Sequence, residues 1–324
     1  MTKKSCIFCG SEYGSIEFAD EHVFPDAIGG LLVLKDKVCK PCNDKLGHSV
    51  DAHLVNHGLV SFLRLHYGLK GKSGKVPNPF ERGVLKDDPK QQIRYEFTDD
   101  GKPKRTYLVP QVSAIKDGEA LKVSFSIDES DRGSIPSIMR KIANRHNVHI
   151  SDDHIKEVLN IPSQESNPTI KSSMKLDFEK YRKAIIKIGY ELGCYWLGDE
   201  YYHDPVATSI REVIFSNAPL YEDAQRLLLS GKIGFIDGEP DFPFLSDNKA
   251  CHIAFCHPQS DFISCYVRVF KLFEGHVLLS RCPAKYPTFE GAFIEINVEN
   301  KSMRELPFLE EVYCASRNHN RADR

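Results

Sequence analysis

No apolar run in this chain reaches the ~18 residues that a hydrophobic membrane span requires. The N-terminus, Met1-Thr2-Lys3-Lys4-Ser5-Cys6, leads into no apolar segment of the kind found in secretory leaders. Charge of one sign is also missing. The 43 Lys+Arg nearly cancel the 45 Asp+Glu, and the net charge of −2 argues against a uniformly basic nucleic-acid binder. There is no internal repeat and no low-complexity tract, which removes solenoids and disordered arrays. What remains is 41% hydrophobic and 27% charged, the balance of a globular protein with a real core. At 324 residues the expectation is about two domains. The expectation from these absences is a cytoplasmic protein. Its cysteines would be reduced there, and close pairs of them read as metal ligands rather than disulfides.

The charge is unevenly spread. Residues 59–110 carry 11 Lys+Arg against 6 Asp+Glu, whereas residues 191–250 carry 4 against 11. A basic footprint can therefore be local. Residues 1–58 are rich in Cys, His and Gly and read as one module, with 59–324 as a second, larger domain for substrate binding or regulation. Gly and Pro punctuate residues 70–82, a linker-like segment. Strand patterns at 94–97 and 106–109 flank the turn Asp99-Asp100-Gly101-Lys102, and 121–127 alternates as a half-buried strand. Residues 136–146 read as a helix with Pro in its first turn. The clearest helix spans Phe178 to Leu197. Tyr181, Ile185, Ile188, Leu192 and Tyr195 recur at helical spacing, Asp177 can cap the start, and Gly198 suits the stop. Further strands fill 250–297, and the polar end from Ala315 reads as frayed. The fold class is α+β.

Cys6-Ile7-Phe8-Cys9 and Cys39-Lys40-Pro41-Cys42 are two C-x2-C knuckles separated by 29 residues. A two-residue gap lets both thiolates of a knuckle face one ion. Two knuckles complete a tetrahedral four-sulfur shell that suits structural Zn²⁺ and leaves no open position for substrate. Between and after them stand Asp20-Glu21-His22-Val23-Phe24-Pro25, Gly29-Gly30 and Asn43-Asp44-Lys45.

Across about residues 1–51 this pattern resembles the HNH endonucleases of the ββα-metal (His-Me finger) class. The shared elements are an acidic residue then His, a Pro three positions on, a Gly-Gly turn, and an Asn directly after a C-x2-C. The resemblance implies an N-terminal zinc-stabilised ββα-metal nuclease module that hydrolyses phosphodiester bonds. It implies His22 as general base, with Glu21 and Asn43 as ligands of a catalytic divalent metal, Mg²⁺ or Mn²⁺. The chemistry agrees. A divalent cation offsets the phosphate charge that repels a nucleophile. Mg²⁺ takes few, hard oxygen ligands. An imidazole can accept a proton near neutrality. Adjacent strand residues point to opposite faces, so a bulge or twist at 21–22 is required to aim Glu21 and His22 at one phosphate. Two departures from the family pattern stand out: no middle Asn lies between Gly30 and Cys39, where Asp36 serves instead or the brace is absent, and Glu21 stands where Asp is commoner.

The implied partner is nucleic acid, DNA ahead of RNA, and the family's company suggests bacterial defence against foreign DNA. The competing reading is a non-catalytic zinc ribbon that binds nucleic acid; it would need the four cysteines but not Glu21, His22 and Asn43 together. Lys45 and His48 could touch phosphate or form a solvated helix face. Lys180, Lys183 and Lys187 read as the wet face of the long helix or as a phosphate-tracking ridge. Asp51 either orients a neighbour or is exposed. Cys251, His252, Cys256 and His257 alternate on a strand so that four ligands could not converge, and buried cysteines are the expectation there.

Overall fold

The N-terminal segment pairs two short strands through the Gly-Gly turn. β1 (Phe18–His22) runs antiparallel to β2 (Val33–Cys39). Gly30 is demanded by space: a Cβ there would lie 1.7 Å from the Phe24 carbonyl oxygen. Gly29 supplies the left-handed φ of +87° that closes the turn. Cys39 ends β2 and caps α1 (Lys40–Leu46), with Pro41 in the first turn where its missing N–H costs nothing. The helical path continues through a wider turn at Gly47–Asp51 into α2 (Ala52–Val55) and then α3 (Gly58–His66). The structure is a computed structural model. It describes all residues except 1–4, 81, 99, 118–119, 164–166, 175, 178, 217–226, 234–241, 243 and 323–324.

The chain divides into two units, and the division is not at residue 58. Residues 1–77 together with 175–324 form one unit, and 78–174 form the other. The second unit holds β3 (Gly83–Leu85), β4 (Gln92–Phe97) and β5 (Pro103–Leu108), followed by the hairpin β6 (Gln111–Asp117) and β7 (Ala120–Ser126). Then come α4 (Ile135–His146), α5 (Asp152–Leu159) and β8 (Ile170–Ser172). One sheet has the order β5-β4-β3-β8, and α4 and α5 close a small core of Ile135, Met139 and Ile155 against Phe125 and Ile127.

In the first unit the chain resumes with α6 (Tyr181–Leu197) and α7 (Pro205–Phe215). The helix read from Phe178 begins at Tyr181, and Phe178 itself lies outside the described residues; Asp177 accepts the Lys180 amide at 2.9 Å just before the first turn, and Gly198 follows the last. Next come β9 (Leu228–Ile233), β10 (Cys251–Pro258), β11 (Ile263–Val269), β12 (Phe273–Ser280), β13 (Ala292–Asn297) and β14 (Ser302–Pro307), closed by α8 (Phe308–Ala322). The six strands form one antiparallel sheet in the order β14-β13-β10-β11-β12-β9. The C-terminal stretch read as frayed is thus helical through Ala322. The α+β class holds, and no described helix is long and apolar enough to cross a membrane.

Helix α6 departs from a one-faced amphipathic helix. Ile185, Ile186, Lys187, Ile188, Gly189, Tyr190 and Glu191 are all buried. Gly189 meets the sheet so closely that a Cβ would lie 2.7 Å from Val277 Cβ. Elsewhere on the same helix Tyr190 donates to the carbonyl of Ile7 in the first knuckle. The core is therefore continuous from Cys6 and Phe24 through α6 to Ile296.

His252 on β10 joins the sheet to the hairpin. Its ring stacks on Phe24, with centroids 5.2 Å apart, and its Nδ1 accepts the Phe270 amide at 3.1 Å. That leaves Nε2 to donate to the Ile28 carbonyl at 2.8 Å. Burial lowers its pKa to about 4, against 6.5 for an ordinary imidazole. Protons therefore bind the unfolded chain more readily. Stability should be full above about pH 6.5 and should fall toward pH 4, by roughly 3 kcal/mol from this residue. Urea midpoints across that range should show the slope, and His252→Gln, less stable throughout, should flatten it.

Candidate functional site

The four cysteine sulfurs lie within 4.8 Å of one another, and among the described residues no other group of Cys, His, Asp or Glu forms such a cluster. Cys9 and Cys39 Sγ are 3.6 Å apart, and the Cys39 amide points at Cys6 Sγ from 3.4 Å. The Cys42 thiol beside Cys6 stabilises its thiolate and lowers the Cys6 pKa to about 4, while burial raises Cys39 to about 11. Four convergent sulfurs, with one already inclined to ionise, fit a structural zinc ion. Cys251, His252 and Cys256 are buried in β10.

A strand irregularity lies just before Glu21 rather than at 21–22. Between Ala19 and Glu21 the pairing partner jumps from Val38 to Leu34, so the extra residues belong to β2. Asp36 lies in that stretch with φ +54°. Glu21 and His22 both line one cleft just past this bend, although their own pairing, Glu21 with Leu34 and His22 with Val33, is regular. The cleft is about 370 Å³ and is also lined by Asp20, Asn43, His48, Asp51 and Lys72. Asn43, on α1, donates to Glu21 Oε2 at 2.6 Å and to the Asp20 carbonyl at 3.1 Å. The His22 imidazole makes no hydrogen bond among the described residues and is half-exposed on the cleft.

Glu21 is 3% exposed. Its second oxygen, Oε1, lies 2.5 Å from Lys187 Nζ on α6. That ammonium also lies 3.3 Å from Asp51 Oδ2 and 3.2 Å from Glu191 Oε2. It donates to the His22 carbonyl at 3.0 Å as well. Burial disfavours its charge, but Asp51, Glu191 and Glu21 outweigh that effect and raise its pKa. Burial raises Asp51 to about 6, with Lys187 opposing, and raises Glu191 well above the usual carboxylate range. Asp51 Oδ1 is buried without a hydrogen-bond partner.

Of the lysine stripe on α6, only Lys180 is exposed, paired with Asp177 at 3.7 Å. Lys183 is half-buried and donates to the Ser216 carbonyl at 2.5 Å. Lys187 has no exposed surface, so it forms no nucleic-acid ridge; it is an internal partner of Glu21. Lys45 is exposed and rests over the Phe215 ring at 4.6 Å, and exposed His48 faces the cleft. Glu191 was missed from sequence, and Lys187 reads there as a nucleic-acid contact rather than as a buried partner of Glu21. The available signal was a lysine in the apolar run Ala184–Ile188 with a glutamate four residues on.

Residues 6–59 match the HNH endonuclease family, a span that takes in all four cysteines, Glu21, His22 and Asn43. This points to a nuclease or nucleic-acid-interacting role for the N-terminal part. No curated protein and no solved structure matches the chain.

Proposed function

We propose that the protein is a metal-dependent endonuclease that hydrolyses phosphodiester bonds, with DNA as its substrate. The observation that carries this reading is the meeting of Glu21, His22 and Asn43 on one open cleft beside the four-cysteine cluster. The donor set fits a hard divalent cation: carboxylate and amide oxygens of Glu21 and Asn43, and the unpartnered Oδ1 of Asp51 nearby. Mg²⁺ or Mn²⁺ held there would supply charge neutralisation at the scissile phosphate and leaving oxygen. Cys6, Cys9, Cys39 and Cys42 would hold zinc apart from the chemistry. His22 takes the proton of the attacking water, for which its unengaged imidazole is suited. Asn43 orients Glu21 through their hydrogen bond. Lys45, His48 and Lys180 are the candidate phosphate contacts, each exposed to solvent. Defence against foreign DNA in a bacterial cytoplasm is the role that the resemblance suggests.

Purified protein incubated with duplex, single-stranded and branched DNA and with RNA tests the reading. Cleavage of DNA in Mg²⁺ or Mn²⁺, abolished by chelator, is expected, with five-prime phosphate and three-prime hydroxyl ends. Binding without cleavage of every substrate would favour a non-catalytic zinc module.

A further inference from the structure

Lysine 187 sits where an apolar residue would be expected. Its neighbours in the helix, Ile185, Ile186, Ile188 and Leu192, are wholly or almost wholly buried, and so is Lys187. Taking an ammonium out of water costs several kcal/mol even after relaxation, and replacing a buried ion pair by apolar side chains is often neutral or stabilising. Packing alone therefore gives no reason for the lysine. Its contacts do. The ammonium touches Glu21 Oε1 and the His22 carbonyl, two adjacent residues of β1, and it reaches them from a helix 165 positions away in sequence. The opposite oxygen of the same carboxylate, Oε2, is the one that faces Asn43. With one oxygen held by Lys187, the Glu21 carboxylate has a single orientation, and Oε2 is turned toward Asn43. With the His22 carbonyl held, the backbone that carries the imidazole is fixed as well. Asp51 and Glu191 in turn keep the ammonium in place, and Glu191 meets Lys187 across one helical turn.

We propose that Lys187 is a positioning residue of the nuclease centre, fixing Glu21 and the backbone at His22 so that cleavage by the N-terminal segment depends on helix α6. This rests on the nuclease reading above. A residue that orients a metal ligand from behind typically changes metal affinity or activity by about 10–100-fold when removed. A purely structural ion pair would change stability and leave both untouched.

The test uses the full chain with Lys187→Met and Glu191→Leu combined. This removes the Lys187 ammonium together with Glu191, its partner one helical turn away, so that no Glu191 carboxyl is left buried without it. The folded, zinc-loaded double variant is expected to lose about 10–100-fold in kcat with KM for DNA unchanged. It should also bind Mn²⁺ about tenfold more weakly in an electron paramagnetic resonance titration without substrate. Wild-type kcat and Mn²⁺ affinity in that variant would overturn the proposal. If the double variant does not fold, Lys187→Arg carries the test. A guanidinium keeps the charge but cannot place one donor among three carboxylates and a carbonyl, and the same pattern is expected. Loss of zinc or of folding in both variants would make Lys187 a structural residue and would equally overturn the proposal. Should the wild-type protein cut no nucleic acid, the nuclease reading fails, and the Mn²⁺ titration still judges Lys187 because it needs no substrate.

Discussion

Replacing His22 by alanine is expected to lower phosphodiester cleavage by about 10²–10⁴-fold, the usual cost of losing a general base, while zinc content and the melting temperature stay close to wild type. The imidazole makes no hydrogen bond among the described residues, so its removal breaks no internal contact. What holds this point of the strand is the backbone, through the His22 carbonyl and Lys187, and alanine keeps that bond. The proton of the attacking water must pass to a group facing the cleft. In this reading Glu21 holds the metal, which leaves His22 as the base that faces the cleft. Glu21→Ala and Asn43→Ala should behave differently. They remove oxygen ligands rather than a base, so raised Mg²⁺ or Mn²⁺ should restore part of the rate. No concentration of metal should restore His22→Ala, since charge neutralisation does not accept a proton. The measurement is single-turnover cleavage across a metal titration for all three variants. A folded His22→Ala protein that cuts at the wild-type rate would remove the mechanism.

Cysteine 39 should be the most sensitive position for folding. Structural zinc contributes ~10–16 kcal/mol of binding free energy in zinc-finger peptides, comparable to or above the ~5–15 kcal/mol that holds a whole domain folded. Cys39 is 1% exposed, ends β2, caps α1 and lies beside both Cys6 and Cys9. Cys39→Ser is expected to abolish zinc retention and melt the hairpin and α1. The consequence should not stop there. Tyr190 of α6 is bonded to Ile7, and the core runs from the knuckles to the sheet without interruption. Chelating the zinc should therefore speed proteolysis within α6 as well as within the first 58 residues. Elemental analysis and limited proteolysis of the full chain check this. An intact thermal transition in a zinc-free protein would contradict it.

The family match ends at residue 59, close to the module boundary that composition suggests, whereas the compact unit runs on to residue 77. Cysteine and glycine density drops after residue 58, and the sequence accordingly suggests a module ending there. The core does not end there: Val60 and Leu63 of α3 join the same cluster as Phe24, Ile185 and Val277. The change of unit falls after residue 77, inside the segment read as a linker from its Gly and Pro content. Local backbone chemistry marks where the chain can turn away. It carries no information on which residues close over a shared core. Strands and helices with clean periodicity, such as β7 and α4, were legible because alternation at two or 3.6 residues is a local consequence of having one buried side.

By itself the sequence pointed to the four-cysteine cluster, the Gly-Gly turn and the grouping of Glu21, His22 and Asn43. Each depends on spacing within about forty residues, and short spacing limits the geometries open to the chain. It also called for a bulge or twist at 21–22, because adjacent strand residues otherwise diverge, whereas the irregularity lies one step earlier, between Ala19 and Glu21. Only the tertiary structure decided that the irregularity belongs to β2 around Asp36, that α6 is buried on more than one side, and that Lys187 points at Glu21 rather than at solvent. A helical period tells which residues share a face; it cannot tell how many neighbours cover the helix. A lysine reads as exposed because an isolated buried charge is costly. The carboxylates of Glu21, Asp51 and Glu191 offset that cost, and two of them come from parts of the chain far from α6 in sequence.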